Sequence, residues 1–213
     1  MSKVKPILFS GPMVRALIEG RKTQTRRIAK RQDIFFCNCQ PFVPVGINGQ
    51  KGFELPYAPG NFLYVRETFA TDHLGNYRYA ATDDIHELRK KKPGIHLPRA
   101  ASRLTLEVTG VKVERLQDIT DDDAKAEGAT GKPCPDIWRR GAIGWSMNWP
   151  DVEPEEGWGY VCLNSPRLAF GSLWNDINGE DAWNANPWVV AVTFAVHHQN
   201  VDAYLAQQKQ VAA

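Results

Sequence analysis

Apolar residues recur at helical spacing over residues 11–20, GPMVRALIEG. Val14, Leu17 and Ile18 form an i, i+3, i+4 stripe, Pro12 suits the first turn, and Gly20 is a stop. The period then shortens to two. Thr23, Thr25 and Arg27 alternate with Gln24 and Arg26, which predicts a strand after a turn at Arg21-Lys22. Asn61 to Ala70 (NFLYVRETFA) is a second predicted strand, with Val65 and Phe69 on one face and Glu67 between them. Ser102 to Leu116 alternates with Leu104, Leu106 and Val108 on one side, and Gly110 marks a bend. Thr120 then opens a helix. Asp123 stands in the capping-box position, and the acidic first turn suits the helix dipole. Phe170 to Ile177 is a further short helix, Pro187 to His197 a closing strand, and the last dozen residues a polar helix or tail.

Two stretches break this periodicity. Residues 32–58 and 129–166 are rich in Pro and Gly, the second also in Trp, and are expected to be irregular insertions. The charged stretch Glu87–Lys92 is expected to be a solvated helix or loop. The order helix, strand, strand, strand, helix, helix, strand favours an α+β fold around a small curved sheet or barrel, as one domain carrying two insertions. Neither a Gly-x-Gly-x-x-Gly after a strand nor a Walker loop is present, so nucleotide-cofactor folds gain no support.

Composition adds little until it is resolved along the chain. The 213 residues are 43% hydrophobic and carry a net charge of +2, enough apolar material for a core and no bulk charge signal. The apolar run Ile7-Leu8-Phe9 is too short for a signal peptide, and no window reaches the length of a membrane span. The expectation is a cytoplasmic protein that is not membrane-bound. Between Met1 and Arg31, however, nine basic residues face one acid, Glu19; this segment is +8 and the remainder −6. Such a segment suits an anion, phosphate backbones above all. It equally suits a solvated basic face balanced by the acidic 114–127 and 151–156 stretches. Cys37, Cys39, Cys134 and Cys162 lack zinc-ribbon spacing, leaving open a structural zinc site or reduced thiols.

Within the basic segment, Gly20-Arg21-Lys22-Thr23-Gln24-Thr25-Arg26-Arg27 resembles the Gly-Arg-Lys-Thr-x-Thr-x-Arg signature of the ASCH family, a branch of the PUA-like fold. Pro59 to Glu67 resembles the family's Pro-Gly-Asp-x-Leu-x-Val-Arg-Glu strand, with Asn61 in place of Asp. Asp122-Asp123-Ala124-x-x-Glu127-Gly128 is similar to its acidic helix, and Asn186-Pro187-Trp188-Val189 to its closing strand. The resemblance spans most of the chain outside the two insertions, and the Trp-rich insertion is similar to the longer, phage-associated members.

The resemblance implies a small mixed β-barrel with peripheral helices. It also implies two functions. One branch hydrolyses N4-acylated cytidine with a Thr, a Lys and a Glu, which carried over are Thr25, Lys22 and Glu127, without metal or cofactor. The wider family is proposed to bind or cleave RNA, which makes RNA the alternative partner. A monomer is favoured.

Amide hydrolysis needs a nucleophile, a base and a stabiliser of the oxyanion. A threonine hydroxyl needs a base, and a lysine serves only if burial or neighbouring cations lower its pKa from about 10.4. Arg21, Arg26 and Arg27 are such neighbours in sequence, whereas Glu127 would favour the ammonium, so its useful role is to orient Lys22 or shuttle its proton. Thr23, Thr25 and Arg27 share a strand face, which makes Arg27 a candidate donor to the oxyanion or the base carbonyl. Glu67, on an apolar strand face, is expected to contact the base or hold an arginine. Arg99 and Arg103 either reach the basic site or form salt bridges. Phe69, Trp174, Trp183 and Trp188 could stack a base or fill the core. Trp138, Trp145, Trp149 and Trp158 form either a lid or a satellite core.

Overall fold

The computed structural model describes residues 3–30, 32, 35–36, 44–45, 55–85, 91–133, 142–147 and 163–211. Along the chain these form β1 (Val4–Leu8), α1 (Gly11–Ile18), β2 (Gln24–Ile28), β3 (Phe35–Phe36), β4 (Pro44–Val45), β5 (Phe62–Arg66), β6 (Phe69–Thr71) and β7 (Tyr77–Tyr79). There follow β8 (Thr105–Arg115), α2 (Asp121–Ala126), β9 (Thr130–Pro133), β10 (Ile143–Ser146), α3 (Pro166–Asn178), β11 (Trp188–His197) and α4 (Val201–Val211). No helix among the described residues is long and apolar enough to cross a membrane. The architecture is α+β around a multi-stranded sheet, and no closed barrel is found among the described residues.

The chain divides into two compact units. The first comprises Met1–Thr23, Pro59–Gly110 and Thr193–Ala213, and the second Gln24–Ala58 and Val111–Val192. In the first unit the strand order is β1-β5-β8-β11. β1 lies parallel to β5, with Ile7 opposite Val65, and β5 runs antiparallel to β8, with Leu63 opposite Leu106. Leu63, Val65, Leu106 and Val108 are buried, with Val14 and Leu17 of α1. Val201 and Tyr204 of α4 pack on Phe62, the Tyr204 and Phe62 rings lying 5.7 Å apart. Phe69, Leu97 and Ala101 form a separate cluster with Tyr79.

In the second unit the order is β8-β11-β2. Its core is Leu116, Ile119, Ala124, Phe170, Trp174 and Val189, flanked by Met147, Ala182 and Trp183. α2 has only six residues, too short to persist on propensity. Its N-terminal end is therefore fixed by side chains. Thr120 accepts from the Asp123 N–H at 3.1 Å, and Asp123 accepts from the Thr120 N–H at 3.4 Å, a reciprocal capping box.

The structure changes several expectations. β1 was not anticipated: Pro6 and the flanking lysines hide its periodicity. The strand expected over 61–70 is broken at Glu67-Thr68 into β5 and β6, so Glu67 lies between strands rather than on a strand face. β6 turns back as a hairpin with β7. The turn is closed by Asp72, whose carboxylate accepts from the Leu74 and Asn76 N–H groups at 2.9 Å each. Neither expected insertion is wholly irregular: β3 pairs with β4 within 32–58, and β9 with β10 within 129–166. The Phe170–Ile177 helix begins earlier, at Pro166, where the Ser165 hydroxyl accepts from Leu168 N–H. Leu116–Asp118 forms a 3-10 turn before the α2 cap.

Thr120→Ala removes the side-chain half of the capping box. It is expected to lower unfolding free energy by about 1 kcal/mol, seen in urea titration as a lower midpoint at unchanged slope. Thr120→Ser, which keeps the acceptor, should stay near wild type.

Candidate functional site

In the first unit, α1 ends at Glu19, and Gly20 takes φ +72°, the left-handed conformation in which an L side chain is strained. The chain then folds back, and the Lys22 N–H donates to the Ala16 carbonyl at 3.0 Å. This return withdraws the Lys22 side chain from solvent: the residue is 1% exposed, and its Nζ lies 5.7 Å from the centre of the Phe9 ring. The Phe9 ring is thus one of the groups that stand near the ammonium in place of water.

Glu67 and Arg103 are brought together in the same unit. Arg103 Nε donates to Glu67 Oε1 at 2.8 Å and Nη2 to Oε2 at 2.9 Å, a bidentate pair. Glu67 is 1% exposed, and its backbone packs so closely on Gly94 that a Cβ there would lie 3.0–3.1 Å from Glu67 backbone atoms. Arg103 Nη1 donates to the Thr82 hydroxyl at 2.9 Å, and the guanidinium sits 4.2 Å from the centre of the Tyr79 ring. Tyr79 donates in turn to the Ala101 carbonyl at 2.6 Å. Burial raises the pKa of the Tyr79 hydroxyl against the opposing charge of Arg103, with Glu67 adding to the rise. Of the two roles expected for Glu67, the structure displays the holding of an arginine. Arg99 forms the salt bridge instead, to Asp202 of α4.

In the second unit, Thr25 and Arg26 are adjacent on β2 and point to opposite faces, yet both are buried, at 2% and 3% exposure. Arg27, on the Thr25 face, is partly exposed. The Arg26 guanidinium is surrounded by acids. Nε and Nη2 donate to Glu114 Oε1 at 3.0 and 2.8 Å, Nη1 donates to Glu127 Oε1 at 3.2 Å, and Nη2 lies 3.2 Å from Asp123 Oδ2. Gln24 completes the set, accepting from Arg26 Nη1 at 3.0 Å and donating to Asp123 Oδ1 at 3.1 Å. The Phe170 ring lies 5.9 Å away. Glu127 is the C-terminal cap of α2, followed by Gly128 at φ +115°, and is 4% exposed. Burial alone would raise the Asp123 pKa. The hydrogen bond from Gln24, the Arg26 charge and the two bonds with Thr120 outweigh it and hold the carboxyl below its ordinary value of 3.8.

The sequence names Lys22, Thr25, Glu127, Arg27, Glu67 and Arg103 as site residues, and all but Arg27 and Arg103 are buried. It misses Arg26 as a hub and Glu114 as its main partner, 88 residues away. The available signal was alternation: Gln24 and Arg26 occupy the strand face opposite Thr25. Trp174 and Phe69 are core residues, and Trp183 packs edge-on against Phe170. Trp188 carries the Arg115 guanidinium 4.3 Å from its ring centre. The four cysteines, with Trp138, Trp149 and Trp158, lie outside the described residues.

Asp123 supplies a pH test. Its carboxyl is more acidic folded than unfolded, so its stabilisation is complete above the unfolded value and lost as pH falls through the folded one. The stability difference between wild type and Asp123→Asn, followed by urea unfolding, should be full near neutral pH. It should shrink below about pH 4 and vanish in stronger acid. A difference unchanged across that range would mean that the ion pair is not its source. Compared with models of known protein families, with curated proteins and with solved structures, the chain matches none.

Proposed function

We propose that this chain is a metal-independent amidohydrolase that removes the acyl group from N4 of acylated cytidine. In this reading it is an ASCH-type domain with a small PUA-like barrel, related to the longer phage-associated members and acting in the cytoplasm as a monomer. The observation that supports the reading is burial. The three residues that the motif resemblance selects, Lys22, Thr25 and Glu127, are 1%, 2% and 4% exposed. Such groups are seldom withdrawn from water without a partner or a task.

Thr25 Oγ1 attacks the acyl carbon while Lys22 Nζ, as the free amine, takes the hydroxyl proton. The tetrahedral intermediate collapses with cleavage of the C–N4 bond, and the Lys22 ammonium returns the proton to N4, releasing cytidine with its exocyclic amine restored. Water then attacks the threonyl ester and Lys22 takes its proton. The proton passes to Thr25 Oγ1 as the carboxylic acid leaves. The base role needs a lysine withdrawn from water, and Lys22 is so withdrawn. Glu127 orients Lys22. Arg27 donates to the oxyanion or the base carbonyl, and Arg103, held by Glu67, donates to the substrate.

Purified protein incubated with N4-acetylcytidine should give cytidine and acetate, followed by the ultraviolet change at the base. Thr25→Ala and Lys22→Ala should each lower kcat by about 10²–10⁴-fold, and turnover should barely respond to salt. A wild type inactive over hours would sink the hydrolase reading. Affinity for RNA that falls steeply with salt would support the RNA-binding alternative.

A further inference from the structure

Arg26 occupies the unspecified position of the Thr-x-Arg motif, and the proposed chemistry gives it no role. It is nonetheless among the most deeply buried charges of the second unit, and three carboxylates converge on it. Part of this is structural: Glu114 on β8 and Asp123 on α2 suffice to tie both elements to β2. Glu114 has a second cation nearby, since Lys112 Nζ lies 2.5 Å from Oε2, as an ion pair without a well-aligned hydrogen bond.

Glu127 is the unexplained member. It sits at the C-terminal end of α2, where the helix dipole disfavours a carboxylate, and burial disfavours it again. Neither holding α2 nor ending it requires an acid there, because Gly128 supplies the turn. Asp123 and Glu127, four residues apart, share one helix face, and that face meets the Arg26 guanidinium at both positions. Arg26 is thus a nearby charge that helps to make a buried carboxylate at this helix end tolerable. A single nitrogen, Nη1, links Glu127 Oε1 and Gln24 Oε1, so the direction of that bond is set from the strand side.

We propose that Arg26 is a positioning residue: it holds Glu127 by Oε1 as an oriented carboxylate, and Glu114 and Gln24 hold Arg26. The catalytic half of this proposal rests on the hydrolase reading; the positioning half does not. A guanidinium suits the task better than an ammonium, because its rigid fork serves Glu114 through Nε and Nη2 while Nη1 stays directed at Glu127.

The test pairs kinetics with a signal independent of turnover. Arg26→Ala should lower kcat for N4-acetylcytidine on the order of 10²-fold, with KM within about two-fold, and millimolar guanidinium should restore part of the loss. Arg26→Lys should retain more activity than Arg26→Ala. Should Arg26→Ala fold poorly, Gln24→Ala leaves every charge in place and should still lower kcat at constant KM. In protein carrying 13C at glutamate side-chain carboxyls, the Glu127 signal, assigned with Glu127→Gln, should move in Arg26→Lys and Gln24→Ala. A Glu127 signal unchanged in both variants overturns the positioning. Activity losses that merely follow the folded fraction, without rescue by guanidinium, overturn the catalytic half. A wild type without turnover overturns that half together with the hydrolase reading, while the carbon signal judges the positioning by itself.

Discussion

A guanidinium leaves water only where carboxylates replace its hydration, and the Arg26 cluster is the constraint on which the second unit depends. Hydrogen bonds to charged groups contribute about 1.5–3 kcal/mol each. Breaking a buried pair by removing one partner costs about 3–5 kcal/mol, while an apolar replacement of the whole set is often neutral. Raw stability is therefore a weak reason for such a cluster. Its consequence is geometric. Glu114 must point inward from β8, α2 must present Asp123 and Glu127 together, and Phe170 must close over the guanidinium. The capping box serves the same end, because it orients the Asp123 carboxylate that Arg26 and Gln24 engage.

The first unit solves a related problem with a different exposure. Glu67 is sealed by the Gly94 backbone and by Arg103, but the Arg103 side chain remains 28% exposed. One edge of its guanidinium is spent on Glu67, and Tyr79 covers a face. The Arg103 side chain thus keeps one edge in water, whereas the Arg26 side chain is 1% exposed. Elsewhere in the unit, Glu107 accepts from Tyr204 at 3.0 Å and lies 3.1 Å from His197 Nε2, with the His197 and Tyr204 rings stacked at 4.1 Å. That group anchors α4 on the sheet and shares no residue with the proposed chemistry.

What was legible in the sequence follows the range of the interactions. α1, β2, β8, β11 and the α2 capping box were visible, because periodicity, caps and stop glycines are properties of neighbouring residues. The break at Glu67-Thr68 was not, because alternation continues across it and the backbone that packs there, at Gly94, is distant in sequence. The β6–β7 hairpin lay behind the Asp72 turn, whose chemistry is local but whose strands are only three residues long. In the candidate site, Lys22 and Thr25 stand within one motif and could be named. The Arg26 partners lie 88 and 101 residues away, and no local pattern announces them.

The +8 segment shows why composition could not choose between hydrolase and RNA module. A count of cations does not say which way they face. Lys22 and Arg26 point inward, Arg21 is spent on Glu19 at 2.6 Å, and Arg15 reaches the Ala81 carbonyl at 3.3 Å. Lys3 and Lys30 are exposed, and Arg27 is partly so. A strip that tracks phosphates gains affinity by releasing the counterions condensed on the nucleic acid, and only cations that can reach the phosphates do so. The most basic stretch of this chain therefore takes two of its cations, Lys22 and Arg26, out of water and leaves others beside it, and a bulk count of charge averages the two settings into one number.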